Sequence, residues 1–511
     1  MKLNIKYTGK ILLIALAVLG TGCKKFLSEN DPSNLTPETY YTIPEHAEAA
    51  VAAAYAQTRF IGSGAGIFAA NFSMLELVTG TARTETGQNS DLNNLLGLSF
   101  NGENLMVRNW WAGLYNVIAQ TNLVTGKVPG ITPMDDVRKA QIIGEAKFLR
   151  AWAYFYLVRL YGDVPLITEP QSAASTDFYP KRTATEQIYK QITDDLIAAE
   201  AAGLPWQDAS GRVSKGAVKS LLAKVYLTMA GQPLNKGAAY YKLAADKSLE
   251  VMTSSGYGLF PSYADLHSLS QENKGEHIFE IQYLASVAGN PMQQLLLPNF
   301  KDVSAYSDEM GSTVPTTQFY QSFEPGDLRA KDREGFFYTS YYTGGDGALK
   351  QLNAPYVFKH FDIVANGTSG TKGTTQSDLN WPQIRFADVL LIYAEAQNRA
   401  DGSPNTAAYE AVNKIRRRAL LPELSGLGQT AFEEAVWRER WHELCYEGIT
   451  WFDMVRLRKV YNETTNGFDN FVGHAFAGSP STILAEKHLL FPLPTVEIKN
   501  NLNLRPQNPG Y

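Results

Sequence analysis

The sequence contains very little cysteine, with only Cys23 and Cys445 among 511 residues. This scarcity excludes a disulfide-dense secreted scaffold, because such scaffolds carry many closely spaced cysteines. A chain of this length has to be stabilised by an apolar core instead. Its apolar content of 44% is sufficient for a large core.

Long apolar runs are absent beyond the N-terminus. The first 22 residues combine three lysines, a short apolar run over 11–19 and small residues at 20–22. This order is typical of a signal peptide, and the run is too short for a transmembrane helix. No later stretch is apolar enough to span a bilayer. We therefore expect export, with residues 1–22 removed as a signal peptide.

Cys23 directly follows these small residues and resembles the acylated cysteine of a bacterial lipobox. The pattern departs from the usual one because Leu19 stands four positions before the cysteine rather than three. We predict lipidation of Cys23 and attachment of the mature chain to a membrane through that lipid. Acylation of Cys23 leaves Cys445 without a disulfide partner.

Positive charge is in deficit, because 46 Lys and Arg residues face 51 Asp and Glu residues and the net charge is −5. Loss of the first 22 residues, which hold three lysines and no acid, brings the net charge to −8. A balance of this sign disfavours nucleic acid and an anionic membrane surface as the main partners. We predict no nucleic-acid partner.

Catalytic and metal-binding motifs are absent as well. "HELCYE" contains only His442, where a zinc motif needs a second histidine on the same helix face. "GSGAG" at 62–66 follows a helix rather than a strand, and "GTSGTKGTT" at 367–375 lacks the spacing of a phosphate loop. No Gly-x-Ser-x-Gly elbow occurs, and the histidines show no ligand spacing. We predict no catalytic residue, no metal and no cofactor.

Amphipathic helical periodicity covers much of the chain. The predicted helices lie at roughly 45–60, 104–127, 134–161, 184–202, 214–231, 237–254, 383–401, 405–419, 430–446 and 448–459. In "AKFLRAWAYFYLVRL", which begins at Ala146, alanines interleave with aromatic residues. This pattern of alternating small and large side chains is typical of tetratricopeptide-like (TPR-like) helical hairpins, although the strict period of about 34 residues is missing. We predict a mainly α fold with a TPR-like helical-hairpin scaffold of about four degenerate repeats.

An irregular, loop-rich part accompanies these helices. Gly, Asn, Thr and Tyr recur through it with little helical period, and "HIFEIQYLA" at 277–285 predicts a short strand. A block of this length is expected to be ordered and functional in a compact protein. We expect a single domain over 23–511, with its scaffold at roughly 40–255 and 380–460. The loop-rich binding region then covers roughly 60–104 and 255–380, and 461–511 form a C-terminal irregular segment.

Five sequence blocks, in order after the lipobox-like Cys23, resemble the SusD/RagB family of outer-membrane nutrient-binding lipoproteins. They are "AKFLRAWAYFYLVRLYGDVPLI" at 146–167, "IRFADVLLIYAEAQN" at 384–398, "VNKIRRRA" at 412–419, "RERWHELCYEGITWFDMVRLRK" at 438–459 and "LLFPLPTVEIKNNLNLRPQNPGY" at 489–511. The resemblance implies a lipid-anchored, non-catalytic protein at the outer membrane that faces the cell exterior. Such a protein captures glycans and delivers them to a SusC-like TonB-dependent transporter.

The glycan site is expected in the loops. Carbohydrate sites combine flat aromatic faces with Asn, Asp, Arg or Gln side chains. None of the eight tryptophans lies between 207 and 380, so tyrosines have to supply any stacking surface there. The resemblance places binding residues before the helix at 104 and in the middle loops. The candidates are Arg83, Asn89, Asp91, Asn101, Tyr283, Tyr306, Tyr320, Tyr338, Tyr341 and Tyr342.

Several other conspicuous side chains are interpreted as structural. Three glutamates at helical spacing predict salt bridges on the charged face of a helix, namely Glu439, Glu443 and Glu447. Three tryptophans at helical spacing are assigned to the core, namely Trp110, Trp111 and Trp152. Arg150, two residues before Trp152, is predicted to form an internal salt bridge.

Two other functions stay open at this point. A secreted helical glycoside hydrolase or lyase shares the aromatic richness, and its paired acids meet only in space, where the sequence does not mark them. A TPR adaptor that binds another protein is the other alternative.

Overall fold

Helices form most of the structure. The computed structural model describes residues 40–65, 69–171, 175–298, 311–342, 348–366 and 377–511. The α-helices are α1 (Pro44–Gln57), α2 (Ser73–Leu77), α3 (Ser90–Leu96), α4 (Leu105–Lys127), α5 (Asp136–Tyr161), α6 (Thr185–Glu200), α7 (Lys215–Ala230), α8 (Ala238–Met252), α9 (Ala285–Ala288), α10 (Thr317–Gln321), α11 (Ile363–Asn366), α12 (Phe386–Asp401), α13 (Thr406–Arg418), α14 (Gln429–Glu443), α15 (Thr450–Leu457) and α16 (Thr495–Asn500). Short 3₁₀ turns lie at Thr58–Gly62, Val128–Gly130, Tyr263–His267, Leu269–Gln271, Pro291–Leu296, Leu328–Ala330, Glu486–Leu489 and Leu502–Leu504.

The strands are short and pair two by two. They are β1 (Ala82–Arg83), β2 (His277–Ile281), β3 (Val314–Pro315), β4 (Phe337–Tyr342), β5 (Leu349–Val357), β6 (Trp381–Arg385), β7 (Lys459–Asn462), β8 (Gly467–Asn470), β9 (Ala475–Phe476) and β10 (Ser479–Ile483). The pairs β1–β3, β2–β6, β4–β5, β7–β8 and β9–β10 are all antiparallel. β1–β3 joins two loop-rich segments that are distant in the chain, and β2–β6 attaches the middle loop-rich block to the scaffold.

The long helices pack largely in chain order. α1 covers α4, and α4, α5, α6, α7 and α8 each pack on the next helix in that series. α8 then packs on α12, which also contacts α13 and α14. The helices before and after the loop-rich block therefore form one scaffold, and its hydrophobic cluster runs from Ala54 to Leu504. The predicted mainly α fold with a helical-hairpin scaffold is confirmed.

α5 is the central rod of this scaffold. The Asp135 carboxylate caps its first turn by accepting the backbone N–H of Arg138 at 2.7 Å, and Gly162 ends it with a positive φ of 72°. Aromatic side chains around its circumference are buried, including Trp152. A side chain at Gly144 would collide with Ala202, so this glycine permits the close approach of the segment after α6.

Arg150 lies inside the scaffold rather than in solvent. Its Nη2 is 2.7 Å from Asp195 Oδ1 on α6, and its Nη1 donates to Asn122 Oδ1 on α4 at 2.9 Å. A further bond from Nη1 reaches the carbonyl oxygen of Thr168 at 2.9 Å. The predicted internal salt bridge is confirmed, and it links three elements of the core.

A buried ion cluster, which we call the glutamate network, ties the loop-rich block to the scaffold. Its members are Glu276, Arg329, Lys359, Arg385, Arg416, Arg418, Glu439, Glu443 and Glu447. Glu443 is at the centre, with Oε1 2.7 Å from Arg418 Nη2 and Oε2 3.3 Å from Arg329 Nη1. Burial opposes the ionisation of Glu447, but the charges and hydrogen bonds of Arg385 and Lys359 hold its pKa far below its usual range.

The expected salt bridges of the three glutamates are therefore present, but the charged face of α14 is buried rather than in solvent. Glu439 and Glu443 are buried, and their partners come from other segments of the chain. A buried carboxylate is tolerated only when cations and hydrogen bonds surround it, which the remote arginines supply.

Three predicted helix limits are corrected by the structure. The helix expected from residue 383 begins at Phe386, because Trp381–Arg385 form β6 against β2. The helix expected to reach 446 ends at Glu443, and Tyr446 has a positive φ of 59° in the turn that follows. The helix expected to reach 459 ends at Leu457.

Glu280 on β2 gives a testable pH dependence. Burial raises its pKa to about 8, and burial lowers the pKa of the adjacent His277 to about 4, so the histidine is neutral at pH 7. The unfolded carboxyl ionises near pH 4.3, so the native state loses stability as the pH rises from about 4 to about 8. Glu280→Gln removes this titrating group. The gain in the free energy of unfolding of the variant over the wild type is therefore expected to be larger at pH 8 than at pH 5, by roughly 1–3 kcal/mol.

Chemical denaturation of both proteins at the two pH values measures this difference. The glutamine side chain of the variant keeps an acceptor for the Asn273 N–H, which lies 2.6 Å from Glu280 Oε2. Glu410→Gln, at an exposed position on α13, is the matched control and should show no comparable pH effect. An equal effect of Glu280→Gln at pH 5 and pH 8 would contradict the assignment.

Candidate functional site

Two loop-rich segments meet at the β1–β3 pair. Arg83 lies opposite Val314 in this pair, and the backbone N–H of Glu85 donates to the carbonyl oxygen of Gly311 at 2.8 Å. β5 packs beside β3 and carries Tyr356. We call the surface around Arg83, Glu85, Gly311 and Tyr356 the loop face. It joins the segment before α4 to the middle loops.

A short polar relay organises the loop face. Arg83 Nη2 is 2.9 Å from Glu85 Oε1, and Tyr356 Oη donates to the same oxygen at 2.8 Å. Burial and the charge of Glu85 both raise the pKa of Tyr356, so its hydroxyl stays protonated. The Arg83 side chain keeps 36% of its surface exposed. A guanidinium held in this way can donate in parallel to adjacent sugar hydroxyls.

The polar candidates near Arg83 mostly stabilise turns. Asn89 is buried and caps α3 by accepting the backbone N–H of Leu92 at 3.1 Å. Asp91 is half-buried, and its Oδ1 accepts the N–H of Leu105 at 3.3 Å. Asn101 is exposed and belongs to the turn before α4. Of these three, Asn101 is the most accessible to a ligand.

Tyr283 and Tyr320 lie at different depths. Tyr283 is buried beside Gly62, and its hydroxyl has no hydrogen-bond partner within the described part of the chain. Tyr320 is half-buried, donates to the carbonyl oxygen of Ala330 at 3.0 Å and meets Phe337 edge-on at 5.2 Å. Tyr320 is therefore the more accessible ring of the two.

Tyr338 and Tyr341 belong to the core, which corrects the expectation that they form a stacking surface. Both side chains are fully buried, and Tyr338 Oη donates to the carbonyl oxygen of Leu296 at 2.7 Å. A register shift between Tyr338 and Ser340 interrupts the strand alternation and brings the two rings within 5.9 Å of each other. Tyr342 ends β4, whereas Tyr306 and Cys23 lie outside the described residues.

A second surface, not expected from the sequence, has the aromatic faces that sugars use. A cleft of about 510 Å³ lies between α4, residues 165–171 and 178–180, and the C-terminal segment. Phe178 and Tyr179 on its rim are 54% and 60% exposed. Amides and carboxylates line it, namely Asn116, Asn122, Glu169, Gln171, Glu497, Asn500 and Asn501. We call this surface the aromatic cleft. The signal for it in the sequence is the adjacent pair Phe178 and Tyr179 within a polar stretch.

The C-terminal segment fixes the rim of the aromatic cleft. Asn503 Nδ2 donates to the carbonyl oxygen of Tyr179 at 2.6 Å, and Asn501 Nδ2 donates to that of Pro180 at 2.9 Å. Burial raises the pKa of Glu497 above its usual value. The cleft therefore combines a held aromatic platform with hydrogen-bonding groups.

Neither a metal centre nor a membrane span emerges from the described ranges. Their His, Cys, Asp and Glu side chains form no group of three that could hold a metal ion. Their helices include none with the length and apolarity needed to cross a bilayer.

Comparison with known proteins identifies the fold. A family model described as the SusD family matches residues 332–511, and one described as "Starch-binding associating with outer membrane" matches residues 25–227. A solved structure of a SusD superfamily protein from Parabacteroides distasonis is 38% identical and has a TM-score of 0.86. The match covers 94% of this chain and 100% of that one. The chain belongs to the SusD family.

Two further relatives of this SusD-family chain are named for the glycans they bind. The starch-binding protein SusD of Bacteroides thetaiotaomicron is 24% identical over the full length of both chains. A solved structure described as a laminarin-binding SusD-like protein is 25% identical and has a TM-score of 0.74. That match covers 92% of this chain and 100% of the other.

Proposed function

We propose that this SusD-family chain is a non-catalytic nutrient-binding protein that captures glycans at the outer membrane for uptake. Two observations support this proposal. Family models match both the N-terminal and the C-terminal parts of the chain, and two relatives are named for starch and laminarin binding. The alternative of a glycoside hydrolase or lyase requires a pair of catalytic acids in a cleft. The carboxylates of the glutamate network do not supply that pair, because they are buried among arginines.

The finer parts of the proposal rest on the sequence. Residues 1–22 are removed as a signal peptide, Cys23 carries the lipid, and 23–511 form one domain that faces the cell exterior. The partner that receives the glycan is a SusC-like TonB-dependent transporter, as the family resemblance implies.

We place the main glycan contact on the loop face. Arg83 is the candidate there with an accessible charged group, and Glu85 and Tyr356 fix its orientation. A bidentate arginine contact to adjacent hydroxyls contributes both affinity and selectivity. Asn101 and Tyr320 are accessible enough to contribute further contacts.

Arg83→Ala is expected to weaken glycan binding about tenfold, the loss of one charge-assisted hydrogen-bond pair. Affinity electrophoresis in gels that contain laminarin or soluble starch, followed by titration calorimetry, measures the change. The melting temperature should change little, because Arg83 is half-buried and its ion pair with Glu85 is accessible to solvent.

Two control variants locate the site. Arg108→Ala removes an exposed arginine on the nearby α4 and should leave binding unchanged. Tyr179→Ala removes a ring from the aromatic cleft. Loss of binding in Tyr179→Ala with full binding in Arg83→Ala would contradict the loop-face assignment and move the main contact to the cleft.

A further inference from the structure

A second, larger cleft adjoins the aromatic cleft and is strongly cationic. It has a volume of about 1120 Å³ and lies between the end of α5, the start of α6, α15 and the C-terminal segment. Seven of the lining side chains are Lys or Arg, whereas two are acidic. This local excess of positive charge stands out in a chain with a net charge of −5. We call it the basic cleft.

Three arginines of the basic cleft have no carboxylate partner within the described ranges. Arg159 donates from Nε to the carbonyl oxygen of Phe155 at 2.8 Å, and Arg458 donates from Nη1 to that of Val455 at 2.8 Å. Arg182 bonds two carbonyl oxygens and the Asn508 side chain. All of these acceptors are neutral. Carboxylates act on these arginines only at a distance, Asp453 and Asp388 on Arg159, Asp163 on Arg182 and Glu486 on Arg458, and none of them forms an ion pair there.

Arg456, which lines the same cleft, shows the contrast. Its guanidinium is 2.7 Å from Glu395 Oε2 and from Asp453 Oδ1, and these carboxylates raise its pKa although burial opposes the change. For Arg159, in contrast, burial lowers the pKa to about 10, and burial also lowers the pKa of Arg182 and Arg458. A desolvated cation without a counter-ion is costly, and an anionic ligand would relieve that cost.

Arg159 is also held in position for a ligand. Its guanidinium carbon lies 3.7 Å from the ring centroids of both Phe155 and Phe452, so the planar group is sandwiched between two aromatic faces. Such stacking leaves the edge of the guanidinium, with its N–H groups, as the part available to an oxyanion.

The two clefts share one chain segment. Phe178, Tyr179 and Pro180 line the aromatic cleft, and Lys181 and Arg182 line the basic cleft. A sugar ring stacked on the aromatic rim is therefore next to a cleft whose cations outnumber its carboxylates. A saccharide with a carboxylate or sulfate group has both matching parts, an apolar ring face and an oxyanion.

We propose that the basic cleft, together with the aromatic rim, binds the anionic group of an acidic saccharide. This inference rests on the proposed glycan-binding function but uses a surface separate from Arg83. It assigns Arg159 and Arg458 to the oxyanion and Tyr179 to the sugar ring. The volume of the basic cleft, about 1120 Å³, lies just above the usual upper limit for small-molecule sites, roughly 1,000 Å³. It is far more than a single inorganic anion requires.

Titration calorimetry with a tetragalacturonate probe and its methyl-esterified form tests the proposal at constant ionic strength. The two probes have the same sugar backbone, and only the first is anionic. The wild-type chain is expected to bind the acid form at least tenfold more tightly than the ester. Equal affinity for the two forms would overturn the proposal.

Variants connect this preference to the cleft. Arg159→Gln and Arg458→Gln should each weaken binding of the acid form about tenfold, and Arg458→Lys should restore part of the loss. Arg417→Gln, at an exposed arginine on α13, is the matched control and should bind like the wild type. If Arg159→Gln destabilises the chain, the Arg458→Gln variant is the deciding test, since the Arg458 guanidinium forms no ion pair with any residue that the structure describes. Unchanged binding in Arg458→Gln would overturn the proposal.

Two further measurements separate this inference from the main function. Arg83→Ala should keep the preference for the acid form, because its side chain lies on the loop face. Inorganic sulfate should compete only weakly with the acid probe, and full displacement at equal concentration would overturn the assignment to a saccharide. Binding of neutral glycans, measured in parallel, should be weakened by Arg83→Ala and unchanged in Arg458→Gln, so failure of the loop-face assignment and failure of this inference are distinguishable.

Discussion

Arg385→Met is expected to lower the free energy of unfolding by about 3–5 kcal/mol, the usual cost of removing one partner from a buried ion cluster. Arg385 is 1% exposed and has contacts with three carboxylates. Its Nη2 is 2.6 Å from Glu447 Oε1 and its Nε is 2.9 Å from Glu447 Oε2, while Nη1 pairs with Glu276. Methionine fills a similar volume but leaves Glu447 buried without its main counter-ion. It also removes one of the cations that surround Glu276 and Glu443.

Chemical denaturation of the wild type and the variant measures the loss. Arg417→Met is the matched control, because Arg417 also pairs with two glutamates, Glu410 and Glu423, but is 43% exposed. Exposed pairs contribute little, so this variant should lose no more than about 1 kcal/mol. Equal losses in the two variants would show that burial of the glutamate network has no energetic role.

Trp152→Ala is expected to lower the free energy of unfolding by about 3–5 kcal/mol through the cavity it leaves in the core. Trp152 on α5 is 3% exposed, and its ring meets that of Tyr156 at 5.0 Å and an interplanar angle of 69°. Loss of an edge-to-face aromatic contact adds to the loss of buried area. Glycan affinity should stay unchanged, since the ring is enclosed by the scaffold.

Thermal or chemical unfolding and an affinity gel, run on the same variant, separate stability from binding. Tyr179→Ala is the control for size, because its ring is 60% exposed and its removal should cost no more than about 0.5 kcal/mol. Trp152 would have to be reassigned from core to binding surface if Trp152→Ala abolished glycan binding while its melting temperature stayed unchanged.

The long helices could be predicted from sequence because their signals are local. Asn104, Asp135, Ser214 and Asn405 each accept backbone N–H groups of the first turn that follows them. These capping residues and the apolar period together predict where the helices begin. The observed helices start within a few residues of the predicted positions. Trp110, Trp111 and Trp152 are in the core, as their spacing predicts.

Other features depend on contacts between distant segments, which no local pattern reveals. Residues Trp381–Arg385 directly precede α12 in the sequence, where the helical pattern is expected to begin at 383, yet they form a strand because β2, about a hundred residues earlier, supplies the partner. Likewise, helical spacing predicts that Glu443 forms salt bridges, but not that Arg329 reaches it from the loop-rich block. The sequence therefore indicates charge pairing without indicating its burial.

The candidate site was the least predictable part. Tyr338 and Tyr341 are buried because a register shift in β4 places both rings in one cluster, and a run of tyrosines carries no sign of that shift. Arg83 depends on partners from two other loops for its orientation. Phe178 and Tyr179 lie in a connection between two scaffold helices, α5 and α6. The family resemblance implies binding residues in other loops.

The most direct test of the central claim is a titration of the purified mature chain with a glycan panel that includes laminarin and starch oligosaccharides, with product analysis in the same samples. We predict saturable binding of at least one glycan at a stoichiometry near one at the loop face, with every oligosaccharide recovered intact. Release of shortened products with turnover, or the absence of binding to every glycan in the panel, would contradict the account.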